Sequence, residues 1–401
     1  MVLNRVLIGG AIAATATVLA SDCTRTSVGL WPLPELGQGL YLNQYQGGLY
    51  PNGSNAMPQA HRAAGLLAAA NIVPRDAAGN PADTGRVVMV SIGMSNTTQE
   101  FCGGTYPTCQ SFSFIGQAAA DPRVNHTTLR LVDGARGGQT AGTWDSPTDT
   151  NYDIVRDQRL APQGLTEAQV QAVWIKVANS TPTRSLPDPQ SDAFTLVTQM
   201  GNIARAAKVR YPNLKLAFFS SRIYAGYAST ALNPEPYAYE SGFAVKWAIE
   251  AQIRQMGGQG IDPRAGDLDY NTVAPVMAWG PYLWGDGTTP RWDGLVWNCS
   301  DLTSDGTHPS NTGREKVADL LMAHFLNSPL ASHWFRTPTP CDPDVNCDGA
   351  ENGFDIAAME QAVNGDMSDF CQADPDFNHD GAINGFDVEA VEQGVNGAAC
   401  P

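Results

Sequence analysis

"RVVMVSIGMSNTTQEF", residues 86–101, decides how the rest of the chain is read. Its first half is apolar and rich in β-branched side chains, the composition of a strand buried on both faces. Its second half turns through Gly93 and sets Ser95 just past the strand's end. A serine at a strand end can serve as a nucleophile. A Gly-x-Ser triplet is also an ordinary turn. The two readings separate only on what lies elsewhere in the chain.

Outward from this stretch, similar apolar runs recur at about 127–132, 171–178 and 214–220, with a weaker one at 272–279. Helical patterns fall between them. "QAHRAAGLLAAANI" precedes the first run. "SDAFTLVTQMGNIARAAKVR", with Ser191 as N-cap, and "ESGFAVKWAIEAQIRQMGG", ended by glycines, lie between later runs, and "SNTGREKVADLLMAHFL" follows the last. Strands alternating with helices predict an α/β domain built on a parallel sheet. Sites in such sheets form beyond the carboxyl ends of the strands, and Ser95 stands at one of these ends.

The chain has 401 residues, 43% of them hydrophobic, which suffices for one large domain with a small companion or for two medium ones. Its formal net charge of −16 disfavours nucleic acid and anionic membrane surfaces as partners. Residues 1–20 read as an export signal. Arg5 gives a positive start, "VLIGGAIAATATVLA" is too short to span a bilayer, and Val18-Leu19-Ala20 offers small residues for cleavage. Asp22 before Cys23 argues against lipidation, and no other stretch is long and apolar enough to span a membrane. The eight cysteines fit an oxidising compartment. They allow about 105 pairings, of which only the local pair Cys102–Cys109 is assignable from spacing. The expected destination is secreted or cell-surface, by bacterial-type export.

At "RTPTP", 336–340, Pro and Thr alternate as in a semi-stiff linker. No Lys or Arg follows Arg336, and fourteen carboxylates do. The tail repeats itself: "DPDVNCDGAENGFDIAAMEQAVNG" is succeeded by "DPDFNHDGAINGFDVEAVEQGVNG". Each copy holds D-x-N-x-D-G with another Asp at the twelfth position of the loop, which is calcium-loop spacing. The candidate side-chain ligands are Asp344, Asn346, Asp348 and Asp355 in one copy and Asp376, Asn378, Asp380 and Asp387 in the other. Ala350 and Ala382 would each add a backbone carbonyl. Asn352 and Asn384 fall at the ninth position, and Gly349 and Gly381 permit the sharp turn. Two structural Ca²⁺ ions are expected. A helix follows each loop, none precedes it, and the twelfth position is Asp rather than Glu. In these respects residues 341–401 resemble a dockerin. That resemblance implies a cohesin-like protein partner. At the tenth and eleventh loop positions, often used for partner choice, stand Gly353-Phe354 and Gly385-Phe386 in place of small hydroxyl pairs.

Of the six histidines, His379 lies inside the second loop and His324 at core spacing on a helix. His308 stands apart. In "SDGTHPSNTGREKVADLL", Asp305 precedes it by three residues and a helix follows, with Ser310 or Asn311 as N-cap. Asp305 can hold one imidazole nitrogen while the other faces a serine hydroxyl, the orienter–base–nucleophile logic of a hydrolase. The Gly-x-Ser-x-Gly elbow of α/β-hydrolases is broken by Thr97.

The arrangement over about 85–330 resembles the SGNH (GDSL-like) hydrolase family. Gly93-Met94-Ser95 matches its first block, with Ser95 as nucleophile. "DGARGGQTA" matches the second, with Gly138 as the oxyanion glycine and Gly137 the neighbouring choice. "VWIKVANS" supplies Asn179 for the third block, and Asp305 and His308 match the last. Met94 stands where the family usually has Asp, Val177 where it has Gly and Ser180 where it has Asp. The resemblance implies a flavodoxin-like three-layer α/β/α domain, an oxyanion hole of Ser95, Gly138 and Asn179, and acyl transfer that needs no metal.

The division that follows is a signal peptide at 1–20, an N-terminal extension at 21–84 packed on a catalytic domain at 85–335, a linker at 336–340 and the calcium module at 341–401. "MAWGPYLWGDGTTPRWDGLVW" and "SSRIYAGYASTALNPEPYAYESG" flank the expected site, and Arg222, Tyr224 and Trp284 are the candidate substrate contacts. Aromatic faces suit sugar rings, and Arg222 could hold a carboxylate. The leading expectation is a secreted esterase that removes acetyl groups from carbohydrate. A lipid or small-ester hydrolase is the second reading, and a non-catalytic glycan-binding surface protein the third.

Overall fold

The computed structural model describes residues 20–337, 342–372, 374–378 and 380–398. The expected signal at 1–20 therefore lies almost wholly outside the described residues. So do 338–340 of the linker, Cys341, His379 and Cys400.

The five apolar runs form one parallel sheet. Its strands are β1 (Val87–Gly93), β2 (Leu129–Val132), β3 (Val170–Lys176), β4 (Leu216–Phe219) and β5 (Val276–Trp279). Their spatial order is 2-1-3-4-5, and every neighbouring pair runs parallel. All seven residues of β1 and of β3 are buried, as expected for central strands covered on both faces. Each buried Val or Ile contributes about 1.5–3 kcal/mol relative to exposure. The order reverses between β1 and β3, which start from adjacent positions and lead outward in opposite directions. The crevice at that reversal is where ligands bind in open α/β sheets, and Ser95 lies there.

The α-helices of seven residues or more in the body are α1 (Gln59–Ala70), α2 (Ser95–Phe101), α3 (Phe114–Ala120), α4 (Asp192–Arg210), α5 (Tyr237–Arg254) and α6 (Asn311–Asn327). Helices α2 and α3 pack on α6, and α4 packs on α5, giving the three-layer α/β/α arrangement. Phe101 of α2 stacks on Trp174 of β3 with centroids 5.6 Å apart, and Phe325 of α6 meets Phe218 of β4 edge-on at 5.2 Å. The core also takes in Leu33, Tyr50, Ala69 and Ile72 from before the first strand. Cys23 bonds Cys299, and Cys102 bonds Cys109. The second pair is the one that spacing alone assigns. The first joins residues 276 apart and has no local signature.

The tail has its own small core of Val345, Ala358, Met359, Ala362, Phe370 and Val391. It lies between α7 (Gly353–Val363) and α8 (Gly385–Val395), and Cys347–Cys371 ties the first loop to the segment between the two copies. Among the described residues no helix is long and apolar enough to cross a membrane.

Candidate active site

The chain leaves β1 through a turn that only glycine can make. A Cβ on Gly93 would lie 2.2 Å from the Lys176 carbonyl oxygen and 2.3 Å from Thr97 Oγ1. Thr97, the residue that breaks the hydrolase elbow pattern, holds this turn instead. Its hydroxyl donates to the Lys176 carbonyl at 2.6 Å and accepts the Met94 N–H at 3.2 Å. Ser95 thus becomes the first residue of α2, with Asn96 Nδ2 donating to the Thr307 carbonyl at 3.0 Å. That bond ties the serine's turn to the loop that carries the histidine.

Ser95 Oγ lies 2.8 Å from His308 Nε2, and His308 Nδ1 lies 2.5 Å from Asp305 Oδ2. The other carboxylate oxygen, Oδ1, accepts three donors: Thr303 Oγ1 at 2.7 Å and the backbone N–H groups of Thr307 and His308 at 2.9 and 3.0 Å. Burial alone would raise the Asp305 pKa. The hydrogen bonds from His308, Thr307 and Thr303 outweigh it and hold the carboxyl well below the usual range. Asp305 is therefore a fixed anion that keeps the Nδ1 proton in place and leaves Nε2 free to accept from the serine.

These groups open on a pocket of about 410 Å³, lined also by Gly138, Gln139, Thr140, Asn179 and Arg222. Gly138 has φ +77°, a conformation that suits glycine, and a Cβ there would meet nothing within 4 Å. A Cβ on Gly137 would come 4.0 Å from that of Ser95, whereas Gly138 is linked to the nucleophile by the pocket lining they share. Asn179 lines the pocket, but its Nδ2 donates to Gln199 Oε1 at 2.8 Å and Asp192 Oδ1 at 3.1 Å. Its two amide hydrogens are thus engaged away from the serine. Spacing along the chain could not show this, because Asp192 and Gln199 belong to α4.

Two buried polar links beneath the site carry no sequence signal. Asp133, just after β2, accepts Ser91 Oγ of β1 at 2.7 Å and Thr98 Oγ1 of α2 at 2.5 Å. Burial pushes its pKa up to about 6 against the pull of those two hydroxyls. Lys176 at the end of β3 and Glu100 in α2 pair at 2.5 Å, both side chains fully buried. Desolvation drives both toward neutrality, Lys176 down to about 8 and Glu100 upward. Both links fasten α2, and with it Ser95, to the sheet.

The three candidate substrate contacts divide. Arg222 lines the pocket. Trp284 and Tyr224 do not: both are fully buried, Trp284 Nε1 donates to Glu235 at 2.8 Å, and the Tyr224 hydroxyl donates to the Arg25 carbonyl at 2.6 Å. Trp279, Tyr282 and Trp297 are buried as well, and Trp292 is the exposed one. The aromatic segment packs in the core instead of presenting faces to a sugar. An aromatic run tells nothing of its own orientation.

In the tail, the loop oxygens hold the backbone N–H groups of their own loops. Asp344 Oδ2 accepts from Gly349, Asp348 from Ala350, and Asp355 from Asn346 and Asn352. Asp376, Asp380 and Asp387 repeat the pattern. Among the described residues no three acidic, His or Cys side chains converge on one point. Asp376 Oδ1 is buried with no partner, and burial with the nearby charges of Asp387, Asp380 and Asp374 raises its pKa. An orphaned carboxylate oxygen among like charges, in an all-oxygen donor set, fits a hard cation. Phe354 and Phe386 stand at matching positions of the two copies, 73% and 65% exposed.

The family model for the dockerin type I domain matches residues 342–396. That stretch is a dockerin domain. Dockerin domains of this type bind calcium and cohesins. No curated protein matches the chain in sequence. Solved structures with partial similarity include the extracellular lipase of Streptomyces rimosus, 14% identical over 59% of this chain and 99% of that one, with a TM-score of 0.29. A psychrotrophic esterase from Pseudoalteromonas sp. is 9% identical over 59% and 96%, with a TM-score of 0.30. A carbohydrate esterase family 2 enzyme with a carbohydrate-binding domain from Corynascus thermopiles is 14% identical over 61% and 68%, with a TM-score of 0.32. Likeness at this level decides nothing about the chemistry of the body that precedes the dockerin domain.

Proposed function

We propose that this chain is a secreted serine esterase of SGNH type that removes acyl groups, chiefly acetyl, from carbohydrate. The observation that carries the reading is the hydrogen-bonded series Ser95–His308–Asp305, whose first two members line a pocket. Ser95 Oγ attacks the ester carbonyl carbon as its proton passes to His308 Nε2. The oxyanion is received by the backbone N–H groups of Ser95 and Gly138, and Asn179 joins them by giving up one of its two present bonds. Losing one such donor typically costs about 10²–10³ in kcat. His308 then protonates the departing sugar alkoxide. In the second half it takes a proton from water, which attacks the acyl-enzyme carbonyl and releases the acid, and Ser95 recovers its proton. Every proton is accounted for by Ser95, His308 and water, so these steps call on no further cofactor.

Carbohydrate as the substrate is supported by the dockerin domain, an associational argument. Export is supported by the pattern of the first twenty residues and by disulfide pairing. The division we favour is the one expected from sequence: an extension at 21–84, a catalytic domain at 85–335, a linker at 336–340 and the dockerin domain from 341. The test is substrate preference. Acetate release from acetylated xylan or pectin is expected to exceed release of long-chain acids from p-nitrophenyl esters. The reverse order would favour a lipid esterase.

For the dockerin domain we propose two Ca²⁺ ions held by Asp344, Asn346, Asp348, Ala350 and Asp355, and by Asp376, Asn378, Asp380, Ala382 and Asp387. A cohesin-like partner would engage the exposed Phe354 and Phe386. At a calcium concentration about 100 times Kd, binding stabilises the folded form by about 2.7 kcal/mol. Calorimetry is expected to show one transition, that of the tail, moving up with calcium and down with EDTA. Ester hydrolysis should stay unchanged. Hydrolysis lost in EDTA and restored by calcium would contradict the proposed division.

A further inference from the structure

The pocket holds one permanent charge, and it is positive. The lining contains no Asp or Glu, although the chain carries a net charge of −16. Arg222 supplies the cation. It is 2% exposed, and its Nε and Nη2 have no hydrogen-bond partner. The third nitrogen, Nη1, reaches only the thioether sulfur of Met94, at 3.8 Å.

The carboxylates that influence Arg222 are Glu100, Glu235 and Asp305. Each is committed elsewhere. Glu100 is bound by Lys176, Glu235 accepts Trp284 Nε1 and the N–H groups of Ala225 and Tyr239, and Asp305 holds His308. A buried guanidinium without a carboxylate on its donor fork is costly. Its planar fork matches a carboxylate in two parallel hydrogen bonds.

A second orphan lies in the same lining. Asn233 is 2% exposed, and neither Oδ1 nor Nδ2 has a partner. Its backbone is left-handed, φ 57°, which Asn tolerates better than most residues. Donor and acceptor are thus both unpaired in the lining that holds the cation.

We propose that the esterase acts on an acidic carbohydrate, and that Arg222 receives the carboxylate of a uronic-acid residue while Asn233 hydrogen-bonds a neighbouring hydroxyl or the same carboxylate. This rests on the esterase reading and narrows its substrate. It also gives Met94 a consequence. A thioether leaves the Arg222 charge unanswered, whereas a carboxylate at position 94 would neutralise it from within. The substrate would place on the donor fork a carboxylate that none of Glu100, Glu235 and Asp305 places there.

The test compares kcat/KM for a mono-O-acetyl methyl glucuronide with that for the matching methyl glucoside. The wild-type ratio is expected to favour the uronide by about 10–100-fold, the range of a hydrogen-bonded charge pair. The ratio should fall toward one in Arg222→Gln. It should also fall in Met94→Asp, which serves if the first variant does not fold. Methyl glucuronide should bind the Ser95→Ala protein in calorimetry more tightly than methyl glucoside by a similar factor. A wild-type ratio near one, a ratio that survives both substitutions, or equal binding of the two glycosides would overturn the acid site while leaving the esterase standing. Hydrolysis of neither ester, with selective binding of the glucuronide retained, would remove the esterase reading and keep the acid site.

Discussion

Ser95→Ala is expected to lower kcat/KM for p-nitrophenyl acetate by roughly 10⁴–10⁶-fold, the usual loss when the nucleophile of a serine hydrolase is removed. Methyl cannot replace Oγ, whose 2.8 Å contact with His308 Nε2 is the route for the first proton. The fold should be untouched, because the turn is held by Gly93, Thr97 and the Lys176 carbonyl, and none of these uses the serine hydroxyl. Unchanged circular dichroism and an unchanged unfolding midpoint would confirm that chemistry alone was lost. A loss smaller than tenfold would mean that hydrolysis does not pass through Ser95.

Asp305→Asn is expected to cost about 10⁴-fold in kcat, through the tautomer and not through position. Asp305 Oδ2 accepts from His308 Nδ1, and Oδ1 accepts from three further donors. An amide that keeps its oxygen on those three donors must turn its NH₂ toward Nδ1. The proton would then sit on Nε2, which could only donate to Ser95 and could not act as base. The wild-type carboxyl stays ionised through mildly acidic pH, because its pKa is depressed. Its contribution to stability is present above the unfolded carboxylate pKa and is lost as pH falls through the folded one. In Asp305→Asn that acid-side contribution should be missing. Acid unfolding of the two proteins, compared by fluorescence, reads it directly.

Much of the body could be read from the chain because its determinants are local. β1 and β3 are continuous apolar runs, since both of their faces are covered. The start of β5 is less legible, because "TVAPVMAW" opens with a proline-broken stretch and only Val276–Trp279 pairs. Asp305 and His308 were legible as a pair because three residues of loop suffice to bring carboxylate and imidazole together. The tail was legible because it repeats.

What depended on distant contacts was not legible. Asn179 faces α4, so its amide is occupied by Asp192 and Gln199, two partners that no spacing rule connects to it. Trp284 and Tyr224 looked like a sugar platform and are core, held by Glu235 and by the Arg25 carbonyl. Asp133, the Lys176–Glu100 pair and Asn233 matter through burial, which appears only once the sheet has closed over them. Met94 looked like a flaw in a motif. Beside Arg222 it becomes a statement about charge.

On the proposed mechanism Ser95 is a nucleophile activated by His308 and Asp305. Incubation of the full-length protein with diethyl p-nitrophenyl phosphate, followed by mass spectrometry of the intact chain and its peptides, tests it most directly. The expected result is one diethylphosphoryl group, located on Ser95, absent from Ser95→Ala and formed far more slowly in Asp305→Asn. No adduct, or an adduct on another residue with Ser95 unmodified, would contradict the claim.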